Sequence, residues 1–280
     1  MMSVPHRWTF DDEETDRRQA AVAEAVGGFI GIIPYIAFYT PSIVYELINL
    51  RNLEKIMMDL IERPEFIHRI MRFMTDETKA NCLDIEDAGK LTANNNGAFL
   101  PSGSYGFTDE LPGDPFGRVK PAEGPLRLRD LWGFADTQEF TDVSPEMWRE
   151  FLLPYQRELL GLFGLVYYGC CEKIDSKLDD ILAIPRLRKV SVSPWSNVHL
   201  AAEKIGNKVI YCRKPNPSAV VYNLDEKQLQ IKTEELLRVT EGCTLEIVLK
   251  DLHTAGNRPE NLARWVEITK SVCGGADGPA

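Results

Sequence analysis

The stretch Gly169-Cys170-Cys171-Glu172 sets two thiols and a carboxylate directly behind the apolar run at 164–168. Thiolate sulfur with carboxylate oxygen is a donor set that suits zinc. Cysteine is also among the most buried residue types, so packing alone is the competing account. Neighbouring side chains on a strand face opposite ways. If both cysteines lie on the strand, Cys170 is the one expected to point to the site. His253 follows another apolar run, at 245–249, and is one of only four histidines. Alone it reads as a hydrogen-bonded rim residue; with Cys170 and Glu172 it completes an expected metal set of Cys170, Glu172 and His253. Asp251 is positioned to orient the imidazole or to bind metal itself.

Other strand ends carry further polar groups. Gln138 and Glu139 suit substrate hydrogen bonding and general acid–base work, against the plainer account of a first-turn acid facing water. Arg213 and Lys214 suit a carboxylate or phosphate clamp, against solvated charge beside a Pro-Asn-Pro turn. Trp195 reads as the wall of an apolar pocket or a plug at its rim. Asn95, Asn96, Tyr105 and Asp109 lie on a long segment rich in turn residues, from Leu91 to about Pro125, and are candidates for a lid. The expected catalytic residues are Glu139, Asp251 and Lys214. The expected substrate contacts are Asn96, Tyr105, Gln138, Trp195 and Arg213.

The elements that must position these groups are legible from periodicity. An apolar run at 29–33 predicts a strand buried on both faces. Helical spacing follows in Leu53, Ile56, Met57, Leu60 and Ile61, then from Pro64 through Ile67, Ile70, Met71 and Met74. From residue 131 onward, short apolar runs alternate with helical stretches. Runs at 131–135, 164–168, 188–192, 208–212 and 245–249 predict strands. A helix opens at Ser144-Pro145-Glu146 and runs through Leu160, another lies near 174–183, and a third is capped by Ser196 and closed by Gly206. Two more open at Asp225 and near Pro259. Such alternation implies parallel strands with helical crossovers. No GxGxxG follows a strand, and polar clusters end many strands rather than one, which favours a (β/α)8 barrel over an open doubly wound sheet.

At 280 residues and 44% apolar, the chain suits one barrel, taken as residues 26–275 behind a polar leader at 1–25. The formal net charge of −10 disfavours a nucleic-acid or anionic-membrane partner and favours a small molecule or another protein. Six sparsely spaced cysteines and a leader without an apolar core suggest a reducing, cytoplasmic setting. Residues 27–45 carry no formal charge, but Pro34 and Pro41 interrupt them, so a strand, a turn and a helix start are expected there rather than a membrane span. A homodimer is left open.

The stretches LRNLEKIMMDLIERPEFIHRIMRFMTD, QEFTDVSPEMWREFLLPYQRELL, YYGCCE, LRKVSVSPWSNVHLAAEKIGNKVIYCRKPNPS and LKDLHTAGNRPENLARWVEI cover most of the chain from residue 50 onward. Together they resemble the uroporphyrinogen decarboxylase superfamily, which includes cobalamin-dependent methyltransferases. The resemblance implies a (β/α)8 barrel, with a front portion shorter than that family's. The decarboxylase branch carries an Arg-Gln-Ala-Gly-Arg motif, whereas here Arg18-Gln19-Ala20 is followed by Ala21. The methyltransferase branch holds zinc through His-x-Cys and a later Cys; Cys170 matches the first Cys, Tyr168 stands where His belongs, and His253 lies near the place of the final Cys. The expectation is a zinc-dependent methyltransferase-like enzyme working with a corrinoid carried by a partner protein. The alternatives are a carboxy-lyase built on Arg213, Lys214 and Asp251, and a non-catalytic small-molecule-binding barrel.

Overall fold

The computed structural model describes residues 9–32, 42–95, 101–113 and 120–274. The leader contains α1 (Asp12–Ala25), capped by the Asp11 carboxylate on the Glu14 N–H and burying none of its residues. The strand expected at 29–33 does not form over its described part: Phe29 and Ile30 lie in an exposed bend, and residue 33 is outside the described residues. An apolar run makes a strand only where a ladder and a cover are present, and neither reaches this segment among the described residues.

Three helices follow: α2 (Ile43–Arg51), α3 (Leu53–Glu62) and α4 (Pro64–Asp87). Pro64 cannot continue α3 but fits the first turn of α4. Ile67, Met71, Met74, Cys82 and Ile85 form the buried stripe of α4.

The second part alternates strand and helix. In order come β1 (Trp132–Ala135), α5 (Pro145–Phe151), α6 (Leu153–Leu160), β2 (Leu165–Tyr168), α7 (Leu178–Leu182) and β3 (Leu187–Val192). Then follow α8 (Val198–Ile205), β4 (Ile210–Arg213), α9 (Ser218–Val221), α10 (Glu226–Val239), β5 (Thr244–Ile247) and α11 (Glu260–Val272). The helix expected from Pro145 through Leu160 breaks at Leu152, because Pro154 takes the first turn of a new helix and cannot bond backwards. The cap of α8 is Asn197, whose carbonyl accepts from the His199 and Leu200 N–H groups; the Ser196 hydroxyl faces Ile174 N instead.

The result is an α/β fold with one all-parallel sheet of five strands in the order β1-β2-β3-β4-β5. Eight strands would close a (β/α)8 barrel; five are formed among the described residues. Alternate strand residues divide the sheet into two faces. Ala135, Val166, Tyr168, Val190, Val192 and Tyr211 pack on the helices in the main core. Trp132, Phe134, Leu165, Tyr167 and Cys212 form a second cluster with Leu111. That second face is met by residues of the 94–111 segment. The Asn94 amide both donates to the carbonyl and accepts from the N–H of Trp132, serving β1 as a neighbouring strand would. Asn95, expected as a lid residue, is instead buried and ties Trp132 Nε1 to the Thr108 and Leu111 carbonyls. No helix of the described residues is long and apolar enough to cross a membrane.

The entry to β2 gives a test of this register. A Cβ on Gly164 would clash with the Arg129 carbonyl oxygen, which is backbone, and press on Leu111 Cδ2 at 2.8 Å. Gly164→Ala is expected to cost about 3 kcal/mol or more through forced backbone movement. The check is urea unfolding; a midpoint equal to that of the parent chain would contradict the register.

Candidate functional site

At the end of β2, Gly169 takes φ +95°, a backbone state that L side chains avoid, while its N–H bonds to the Ala135 carbonyl at 2.8 Å. A Cβ there would also press on Ser191 Cβ at 3.2 Å. The chain therefore leaves the ladder before Cys170, and strand alternation no longer separates Cys170 from Cys171. Both sulfurs converge on one cation: Lys250 Nζ lies 3.0 Å from each. The two sulfurs are 3.7 Å apart, and the Cys171 sulfur also lies 3.2 Å from an Asp251 carboxylate oxygen. Lys250 follows Glu246 and Val248 on the second face of the sheet and is buried. The expectation that only one cysteine faces the site is corrected by this turn.

Two sulfurs beside one ammonium hold a single proton between them. The hydrogen bond from Cys171 brings the Cys170 thiol down to about 5; the Ser102 hydroxyl and the Lys250 ammonium add to this against the cost of burial. The same contact pushes Cys171 upward. Burial works against the Lys250 charge, but its bonds to both cysteines outweigh that and raise it. Cys170 is thus a thiolate at neutral pH, in the kind of electropositive setting that makes cysteine reactive. Two further lysines share this face. Lys189 is tied to Glu246 at 2.7 Å and to Ser104 at 2.6 Å. Lys214 bonds to the Ser102 hydroxyl and carbonyl, and burial lowers it to about 8.

A second acidic element stands at the ends of β1 and β2. Glu172 is buried with both oxygens committed, one to the Thr137 N–H at 2.9 Å and the other to the Cys170 N–H at 2.7 Å. Beside it, Asp136 accepts from the Ser42 hydroxyl at 2.7 Å. Burial, then the Glu172 charge, pushes Asp136 up to about 8, so it carries a proton at pH 7. Asp136, Gln138 and Glu139 line a cavity of about 370 Å³ with Ser42 and Phe134. Gln138 donates to one Glu139 oxygen at 3.3 Å; the other is buried without a partner among the described residues.

The structure therefore brings Cys170 and Asp251 together through Cys171 and Lys250, sets Lys214 on the same face, and joins Gln138 and Glu139 to Asp136. It does not gather the expected metal set. Glu172 turns inward onto backbone amides, and His253 is exposed. Among the described residues no group of three His, Cys, Asp or Glu is placed to hold a metal ion. The sulfur separation of 3.7 Å is near the roughly 3.8 Å of two thiolates on tetrahedral zinc with ~2.3 Å bonds, but Lys250 Nζ fills the position between them. The residues as arranged do not fit zinc. Arg213 and Lys214 do not form one clamp: Lys214 lies over the Tyr167 ring on the second face, whereas Arg213 lines a cavity among the helices. Trp195 lines that same cavity and is exposed. Tyr105 contributes its carbonyl to Lys189 while its ring is exposed. Asn96 lies outside the described residues.

Sequence reasoning missed Lys250, Ser102 and Asp136 as site residues and weighed Cys171 with Cys170 but chose Cys170 alone. Lys250 was signalled by the alternation 246, 248, 250, which continues the second face one residue beyond the apolar run. The chain matches no protein-family model, and a search of curated proteins finds no match.

Proposed function

We propose that the chain is a transferase that passes a methyl group through a protein thiolate, on a barrel of the (β/α)8 type and the methyltransferase-like branch of the uroporphyrinogen decarboxylase superfamily. Support for the barrel comes from strand order. Five parallel strands adjacent in chain sequence never reverse direction of travel across the sheet. With right-handed crossovers this winding lays its helices on one face, as a barrel arc requires, and it lacks the switch point of a doubly wound sheet. The reactive groups stand at C-terminal strand ends, where barrel enzymes keep their chemistry.

The observation that carries the reading is the Cys170–Cys171–Lys250 cluster, with both sulfurs 3.0 Å from the ammonium. A thiolate is a soft nucleophile suited to displacement at a methyl carbon. The Cys170 sulfur attacks the methyl group of an oxygen- or nitrogen-linked donor; the S–C bond forms as the C–O or C–N bond breaks, and the leaving atom keeps the electron pair. An alkoxide or phenoxide leaving group takes the proton that Asp136 holds. A cysteine hydrolase would pair its thiolate with imidazole; among the described residues His199 and His253 are exposed and His68 bonds to Tyr155. The carboxy-lyase alternative loses its Arg213–Lys214 grip. A corrinoid on a partner protein is the onward acceptor that the resemblance implies. Zinc would have to displace Lys250, and no step here uses it.

The test offers deuteromethyl-labelled guaiacol and tetramethylammonium to the protein and maps the label by peptide mass spectrometry. One labelled methyl group is expected on Cys170 and none in Cys170→Ser. Absence of label with every donor, while iodoacetamide still alkylates Cys170, would reject the reading.

A further inference from the structure

The helix side of β4 carries a second cavity, separated from Cys170 by the sheet. It measures about 600 Å³ and lies between the ends of β3 and β4 and the helices α9, α10 and α11. That volume suits a small organic ligand. Trp195, Val220, Leu236, Ile247 and Trp265 make most of its wall apolar or aromatic. Two cations line it, the exposed Lys232 on α10 and the partly buried Arg213. Arg213 alternates with Cys212 and Lys214 and therefore faces the helices, where Nη1 donates to the Ser193 carbonyl at 2.6 Å.

That contact fixes one corner of the guanidinium and leaves the fork open. Among the described residues, Nε and Nη2 of Arg213 have no hydrogen-bond partner, and no carboxylate lies within ion-pair distance. Two carboxylates line the cavity without pairing with Arg213: Asp225, one oxygen of which caps α10 on the Gln228 N–H, and the exposed Glu235. Thr269, on α11, adds to the lining a buried hydroxyl oxygen without a partner among the described residues. A partly desolvated guanidinium without a counter-ion is costly, and its planar fork matches a carboxylate. Trp195, 66% exposed at the mouth, supplies a flat apolar surface beside it.

We infer that this cavity is a binding site for a small carboxylate with a flat or branched apolar body, its carboxylate on Arg213 and its body against Trp195. The site is separate from the thiolate edge, so its occupancy is independent of methyl transfer at Cys170. Two carboxylates, Asp225 and Glu235, also line the cavity and offset the charge of the exposed Lys232, which favours a monoanion over a polyanion.

The probe is 3-phenylpropionate, followed by tryptophan fluorescence and isothermal titration calorimetry on the full chain. Saturable binding is expected, at least tenfold weaker for 3-phenylpropionamide and for Arg213→Met, and unchanged in Cys170→Ser. Trp195→Ala, at an exposed position that leaves folding intact, should weaken binding and remove most of the fluorescence change. It keeps the test open if Arg213→Met does not fold. Equal affinity for acid and amide, tighter binding of phenyl phosphate, unaltered binding in Trp195→Ala, or no saturation would each overturn the assignment.

Discussion

Asp136→Asn is expected to make the protein more stable than the parent chain at pH 8 while leaving the two alike near pH 4. The folded-state carboxyl is raised to about 8, against about 3.9 in an unfolded chain. A group raised on folding contributes stability that is fully present below its unfolded value and is lost as pH climbs through its folded value. The window is therefore pH 4 to 8, and the loss across it is on the order of 5 kcal/mol at ~1.4 kcal/mol per unit. Asn cannot ionise and keeps the oxygen that accepts from Ser42, so the variant escapes this loss. Glu172 is also raised by burial and shares the effect with its neighbour. Urea midpoints at intervals from pH 4 to 9 provide the check. The curves should diverge with rising pH in favour of the variant; parallel curves would mean that Asp136 is not held protonated.

Lys250→Met is expected to move the alkylation midpoint of Cys170 upward by about 1–3 units, the usual effect of removing an opposite charge in contact. Cys171 and Ser102 still hydrogen-bond the sulfur, so the full distance to an ordinary thiol is not reached. An upward move of about 2 units lowers the thiolate fraction at pH 6 roughly tenfold. Methyl transfer should fall by a similar factor at that pH and recover toward pH 9. Recovery at high pH separates loss of charge from loss of structure, because a disordered site would stay slow. Lys250→Arg keeps the charge and should keep the low midpoint.

Much of the scaffold was readable from periodicity, since each strand and helix in the second half carries its own local signal. Pro64 and Gly206 punctuate helices as their chemistry dictates. The errors fall where the deciding partner is remote or the local signals compete. The run at 29–33 is as apolar as a strand, but no neighbour pairs with it in the described part. Pro154 was visible in the sequence, yet strong apolar spacing on either side concealed the break. Cys170 was legible because thiols beside an acid are rare; the turn at Gly169 that brings Cys171 to the same side was not. Their cation was not, because Lys250 reads as a solvated charge until a sheet 80 residues later sets it against sulfur. Arg213 and Lys214 were paired by adjacency, although the twofold period of a strand had already assigned them to opposite faces.

Ionisation of Cys170 in the parent chain is the property on which the chemistry turns, and its alkylation by iodoacetamide, mapped by peptide mass spectrometry from pH 4 to 9, measures it. Cys243 and Cys273, whose thiols burial pushes up, serve as internal references. Cys170 should react with a midpoint near pH 5, ahead of both. A midpoint near the ordinary ~8.5 of a free thiol, or labelling of Cys243 and Cys273 first, would contradict the account.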